Sequence, residues 1–113
     1  MLEMLALALL QASPAAADYP FRALREGREG VTEFGVRTNP QGLVTECWII
    51  RSSGSPDLDA ATCRVAIRRM KVAPPLDGQG QPQPAQWTSR MEWRIDGSGP
   101  AQASPPRLTE TPQ

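Results

Sequence analysis

The sequence predicts an α+β domain in which a three-stranded antiparallel sheet packs against two helices. Residues 32–38 and 86–96 alternate apolar and polar side chains with the period of a half-buried strand. Asn39-Pro40-Gln41-Gly42 is turn-forming sequence, and it leads into a stretch rich in β-branched and aromatic residues, Leu43–Arg51. Residues 56–71 place apolar side chains at helical spacing.

Length and composition exclude several classes of protein. The chain has 113 residues, which suits one domain, and its 12 Lys+Arg balance 12 Asp+Glu. A general nucleic-acid binder carries a basic excess, so nucleic acid is not expected as a partner. The absence of histidine removes His-based catalysis and His-ligated metal sites. We therefore expect no cofactor, no metal and no small-molecule substrate.

The two ends of the chain differ in composition from its middle. Residues 1–17 contain a short apolar run and Ala15-Ala16-Ala17 before Asp18, which is typical of a cleaved signal peptide, although Glu3 stands where a basic residue is usual. A flexible or helical N-terminal tail is the alternative. Residues 97–113 hold four prolines and one large apolar residue, so we expect disorder there. The predicted domain is 18–96.

The first helix is expected between Tyr19 and Glu29, with Pro20 in its first turn and Gly27 or Gly30 ending it. Ser55 is the expected N-cap of the second helix. The second helix carries two neighbouring apolar stripes. The first consists of Cys63, Ala66, Ile67 and Met70, and the second of Leu58, Ala61 and Val65.

The two cysteines, Cys47 and Cys63, are too far apart for a CxxC motif. Cys47 shares one face of the second strand with Ile49, and Cys63 lies on an apolar helix face. In an exported protein we expect a disulfide between them, if the helix covers that face of the hairpin. Two buried, reduced cysteines are the alternative.

The third strand, Gln86–Asp96, is expected at an edge of the sheet. The second helix reverses the chain once, so an antiparallel sheet requires the third strand to pair with the first, which gives the order 2-1-3. An edge strand leaves backbone N–H and C=O groups available to another strand. Charges at Arg90, Glu92 and Arg94 discourage indiscriminate pairing.

Several motifs together resemble the C-terminal domain of TonB, the energy transducer. They cover about residues 19–96 and are, in order, Tyr19-Pro20, Ala23, Gly42-x-Val44-x-x-Cys47-x-Ile49, Ser52-Ser53-Gly54, Leu58-Asp59-x-Ala61-Thr62-Cys63, Arg69-Met70, Pro74 and Gly80-x-Pro82. The cysteine pair resembles a subgroup in which both positions are cysteine. Asp18, Met70 and Pro75 depart from the usual glutamine, phenylalanine and alanine.

The resemblance implies a periplasmic domain that binds the TonB box, an extended segment of an outer-membrane transporter, as an added strand. Carried over to this chain, the partner-binding residues are Arg90, Met91, Glu92, Trp93, Arg94, Ile95 and Asp96, supported by Tyr19 and Pro20. Full transducers also have a membrane anchor and a Pro-rich spacer. We therefore expect a binding module secreted by its signal peptide, or an anchored protein if the true start lies upstream.

A structural protein that uses the same edge to form a homodimer is the alternative function. An enzyme is not expected. Ser52 and Ser53 are the only tempting nucleophiles, and with no histidine and a single lysine, Lys71, no activating base is apparent.

Overall fold

The computed structural model describes residues 18–95, 102–103 and 106–110. The predicted signal peptide and Asp96 lie outside the described residues. The elements in chain order are α1 (Phe21–Arg25), β1 (Gly30–Thr38), β2 (Val44–Arg51), α2 (Pro56–Arg69), β3 (Ala85–Trp93), β4 (Gln102–Ala103) and β5 (Arg107–Glu110).

The sheet is antiparallel, in the order β2-β1-β3-β4, and β5 also pairs with β3. The predicted α+β class and the 2-1-3 order of the three long strands are confirmed. β1 and β3 pair without interruption from Gly30↔Trp93 to Thr38↔Ala85. Between β1 and β2 the register shifts twice, because Thr45 and Ile50 have no direct partner. β2 is therefore bulged near both ends, whereas β3 is regular.

Helix α2 covers one face of the sheet and encloses the core. Its buried residues Leu58 and Val65 belong to the same cluster as Phe34 of β1 and Trp93 of β3. All three residues of the second predicted stripe lie in the core, and so do Ala66 and Met70 of the first stripe. Ile67 of the first stripe is 54% exposed, because the helix is rotated so that this position points past the sheet.

Buried threonines satisfy the indole groups of two tryptophans. The Nε1–H of Trp93 donates to Thr62 Oγ1 at 2.9 Å, and that of Trp87 donates to Thr38 Oγ1 at 2.8 Å. Both rings therefore add apolar area without an unpaired donor.

The β1–β2 turn is joined to the segment after α2 through Gly42. Its φ is +82°, and a Cβ atom there would lie 2.0 Å from the Val72 carbonyl oxygen. Val72 N–H in turn donates to the Gly42 carbonyl at 3.0 Å. Only glycine meets both the backbone angle and the close approach.

The predicted disulfide between Cys47 and Cys63 is confirmed, with a Cα–Cα distance of 5.6 Å. It joins β2 to α2 at the margin of the core, where both residues are half-buried. The bond fixes the helix to one flank of the sheet.

Helix α1 is shorter than expected. Pro20 precedes it as the N-cap, with an extended ψ of 133°, rather than lying in its first turn. Gly27, with φ +68°, follows the helix and Gly30 begins β1. Ala23 is its buried residue.

Candidate partner-binding edge

The outer edge of β3 is occupied by the C-terminal part of the chain. β4 pairs with Met91 and Glu92, and β5 pairs with residues 86–88. We call β4 and β5 the tail strands. The expectation that β3 forms an unoccupied edge is wrong, because Gln102–Ala103 and Arg107–Glu110 pair with its outer backbone groups.

The tail strands lie within the segment for which the sequence predicts disorder. Proline content dominated that prediction, whereas Arg107-Leu108-Thr109-Glu110 is a proline-free stretch that follows Pro105-Pro106. Thr109 Oγ1 donates to the Gln86 carbonyl at 3.0 Å. A short polar strand of this kind has no apolar alternation, so its pairing has almost no signature in the sequence.

The side chains of the predicted binding residues point to different places. Met91 and Trp93 are fully buried, so they can offer a partner only their backbones. The charged residues among them form a row of ion pairs, with Arg90 Nη2 3.8 Å and Arg94 Nε 3.3 Å from the carboxylate of Glu92. These pairs are partly exposed and contribute little to stability.

The C-terminal part of the predicted site lies beyond the strand. β3 ends at Trp93, and the backbone N–H of Ile95 donates to Glu29 Oε2 at 2.6 Å. The N–H of Ile95 is thus already used. The regular part of the edge is Ala85–Trp93, displaced towards the N-terminus from the predicted Arg90–Asp96.

Tyr19 is a core residue rather than a supporting surface. It is 9% exposed, and its hydroxyl donates to the Arg28 carbonyl. Its ring packs edge to face against that of Trp93, with 5.3 Å between the ring centres. Burial and the Glu29 carboxylate raise the pKa of Tyr19, partly opposed by Arg28, so the hydroxyl stays protonated and able to donate. Tyr19 therefore holds the end of β3 in place, while Pro20 remains half-buried.

Asp59 gathers the ends of three segments through its carboxylate. It accepts hydrogen bonds from the hydroxyl of Thr32 in β1 at 3.1 Å, from the hydroxyl of Ser52, and from the N–H and hydroxyl of Ser53 at 2.9 and 2.8 Å. We call these four residues the Asp59 cluster. Partial burial raises the pKa of Asp59, but the hydrogen bonds outweigh it and the pKa is lowered overall.

The Asp59 cluster gives a structural reason for the Ser-Ser-Gly and Leu-Asp motifs. The sequence identifies Asp59 only as part of the Leu58-Asp59 motif, in the first turn of the helix. Its hydrogen bonds instead fix the β2–α2 connection against β1. Ser55 makes no side-chain cap bond, and its hydroxyl accepts a hydrogen bond from Arg28, which also binds Asp57 at 2.9 Å.

The face of the sheet opposite α2 carries a shallow cavity of about 550 Å³ beside the tail strands. Its lining includes Glu33, Ile50, Thr88, Arg90, Pro106 and Arg107. Trp48 lies on the same face, over Gly35, where a Cβ atom would meet the indole ring at 2.5 Å. The Arg37 guanidinium lies 5.9 Å from the centre of that ring.

The described residues hold no cluster of three potential metal ligands. Within the same residues, no helix has the length and apolar character needed to cross a bilayer. Ser52 and Ser53 donate hydrogen bonds to a carboxylate in the cluster that holds their loop.

The chain thus forms an α+β domain with a buried inner face and a regular strand, β3, whose outer backbone groups pair with two short strands. In general, extended peptides bind to sheets by pairing with the backbone of a strand. The family model described as Gram-negative bacterial TonB protein C-terminal matches residues 15–95. The chain belongs to this family, as its motifs suggested. No curated protein and no solved structure matches it.

Proposed function

We propose that this protein is a periplasmic TonB-like module that binds the TonB box of an outer-membrane transporter by strand addition along β3. Membership of the TonB C-terminal family fits a part in TonB-dependent transport. Addition at β3 requires the tail strands to leave the edge, because they pair with the same backbone.

The regularity of β3 is the observation that carries the proposal. Nine consecutive pairs with β1 hold β3 in register, so its outer N–H and C=O groups are spaced as a second strand requires. The strand on the opposite side of β1, β2, has bulges at Thr45 and Ile50. Bulges twist an edge and disfavour added strands.

The inner side of β3 is fixed before any partner arrives. Trp93 is held by Thr62 and Tyr19, and Met91 is fully buried. The edge is therefore preorganised, and a partner does not bear the entropy cost of ordering it. Arg90, Glu92 and Thr88 alternate with these buried residues and offer side-chain contacts that select the partner.

A titration with alternately N-methylated peptides tests strand addition directly. The probe is a synthetic TonB-box peptide, and two derivatives carry N-methyl groups on opposite sets of alternate residues. Only one set of peptide N–H groups faces β3 in a ladder, so one derivative should bind like the parent peptide and the other should lose binding at least tenfold. Amide shifts of the labelled full chain should centre on Gln86–Trp93.

Other outcomes of the same titration contradict the proposal. Equal loss with both derivatives excludes an ordered ladder, and shifts confined to Val44–Arg51 move the site to β2. No shift at millimolar peptide removes the TonB box as a partner. Sedimentation at several concentrations then tests the homodimer, since a stable dimer that ignores the peptide supports the alternative function.

A further inference from the structure

The tail strands and the proposed partner need the same backbone groups. β4 pairs with β3 at Met91 and Glu92, and β5 pairs at Gln86, Trp87 and Thr88. We propose that the tail is a built-in competitor that keeps the β3 edge closed until an extended partner displaces it. This inference rests on the proposed function.

The register of the tail changes by one residue between its two described strands. Between the pairs Met91↔Ala103 and Thr88↔Arg107, β3 has two residues and the tail has three, which are Ser104, Pro105 and Pro106. Prolines have no N–H to donate to a ladder. A second irregularity falls between Gln86 and Trp87. A partner without prolines can donate backbone hydrogen bonds at every position of the ladder and keep one register along β3.

Displacement of the tail leaves the core intact. Leu108 is 42% exposed even when β5 is paired, and the tail side chains whose burial the structure describes, those of residues 106–109, lie outside the core cluster. Little apolar area is therefore lost when they leave, so the exchange depends mainly on backbone hydrogen bonds.

The tail competes at high local concentration because it is part of the same chain. Eight residues, 94–101, separate β3 from β4, and they include Gly97, Gly99 and Pro100, a composition that favours chain reversal. Short connections give effective concentrations in the millimolar range. The tail can thus exclude weak or unrelated strands and still yield to a better one, which also protects the edge from aggregation.

Three full-length chains test the competition. The first, the β5 variant, carries L108P/T109P, which removes two N–H groups from β5. The second is its control, T111P/Q113P, which places two prolines after β5. The third is the parent chain. Without peptide, hydrogen exchange at the outward amides of residues 86–92 should be faster in the β5 variant alone. The same variant should bind the TonB-box peptide about tenfold more tightly, as expected if the parent edge is open about one-tenth of the time.

A crosslinked chain provides the opposite test. Thr88 and Arg107 are direct partners, so a T88C/R107C disulfide should hold the tail on the edge and abolish peptide binding. The same variant kept unlinked by alkylation is the control. Unchanged affinity in the β5 variant, or binding to the crosslinked chain at β3, overturns the competition while the proposed function stands. Weaker binding to the β5 variant also overturns it, because the tail would then belong to the binding site. No binding to any chain overturns the proposed function itself.

Discussion

The two flanks of the sheet are held in different ways. The β2 flank is fixed to α2 by the Cys47–Cys63 disulfide and to β1 by the Asp59 cluster. The outer flank of β3 is covered by the tail strands, whose register changes between Ala103 and Arg107 and whose Leu108 is exposed. One flank is thus fixed by covalent and charged contacts, whereas the other is closed mainly by backbone pairing and one side-chain hydrogen bond, from Thr109.

This difference separates stability from binding within one small domain. A domain of this size gains from a covalent link because its core is limited. Placing the link on the β2 flank leaves β3 able to exchange neighbours without unfolding. Changes on the β2 flank should therefore lower stability, and changes on the outer β3 flank should alter mainly partner affinity.

The largest effect is expected from removing the disulfide. C47S/C63S should lower the free energy of unfolding by about 3 kcal/mol, because the bond joins residues 16 apart in sequence and restricts the unfolded chain. Urea unfolding of the parent and the variant measures this difference. A loss below about 1 kcal/mol would mean that the flank is held mainly by noncovalent packing.

Gly42→Ala should cost about 2 kcal/mol, because the new Cβ atom meets the Val72 carbonyl and the residue must keep a positive φ. Gly27→Ala is the matched control, since it has φ +68° and nothing within 4 Å of the new atom. It should cost about 1 kcal/mol. Equal losses in thermal or urea unfolding would show that the contact with Val72 is unimportant.

Asp59→Ala should lower the unfolding free energy by about 1–2 kcal/mol, since four donors lose their acceptor at a partly solvated site. Asp57→Ala, in the same helical turn, removes an ion pair with Arg28 and should cost about 0.5 kcal/mol. If the two variants are equally stable, the Asp59 cluster does not hold the loop.

The contribution of Asp59 should also depend on pH. Its pKa is lowered in the folded protein, so its stabilisation is present above about pH 4, the ordinary aspartate value, and is lost as the pH falls through the folded value. The stability difference between parent and Asp59→Ala should therefore be larger at pH 6 than at pH 2.5. A constant difference in urea unfolding at the two pH values would contradict this assignment.

A smaller stability effect than that of the disulfide is expected on the opposite flank. L108P/T109P should lower the free energy of unfolding by about 1.4 kcal/mol, the equivalent of the tenfold change in the open fraction of the edge, and β5 adds little to this because it buries little apolar surface. Urea unfolding beside T111P/Q113P measures it. A loss comparable to that of C47S/C63S would make the tail part of the stable fold and remove the contrast between the flanks.

The fold was largely predictable because its signals are local. Period-two alternation identified β1 and β3, and Ser55-Pro56 identified the start of α2. The cysteine pairing followed from the helix covering β2. The exposure of Ile67 was not predictable, because two adjacent stripes of α2 are apolar and the rotation of the helix against the sheet decides which of their residues are buried.

The site was less predictable because it depends on long-range backbone pairing. The alternation of charged and apolar side chains over Arg90–Asp96 is visible in the sequence. The pairing of β4 and β5 with β3 is not, because it uses backbone groups, which are the same in almost every residue. The role of Tyr19 was also hidden, because an aromatic residue before Pro20 suits both a surface and a core.

Intermolecular nuclear Overhauser effects between a TonB-box peptide and the isotope-labelled full chain test the central claim most directly. Strand addition predicts a regular ladder of backbone contacts from the peptide to alternate residues of Gln86–Trp93, with simultaneous loss of the contacts that join Trp87 to Leu108 and Met91 to Ala103. A bound peptide that contacts another surface while both tail contacts persist would contradict the account.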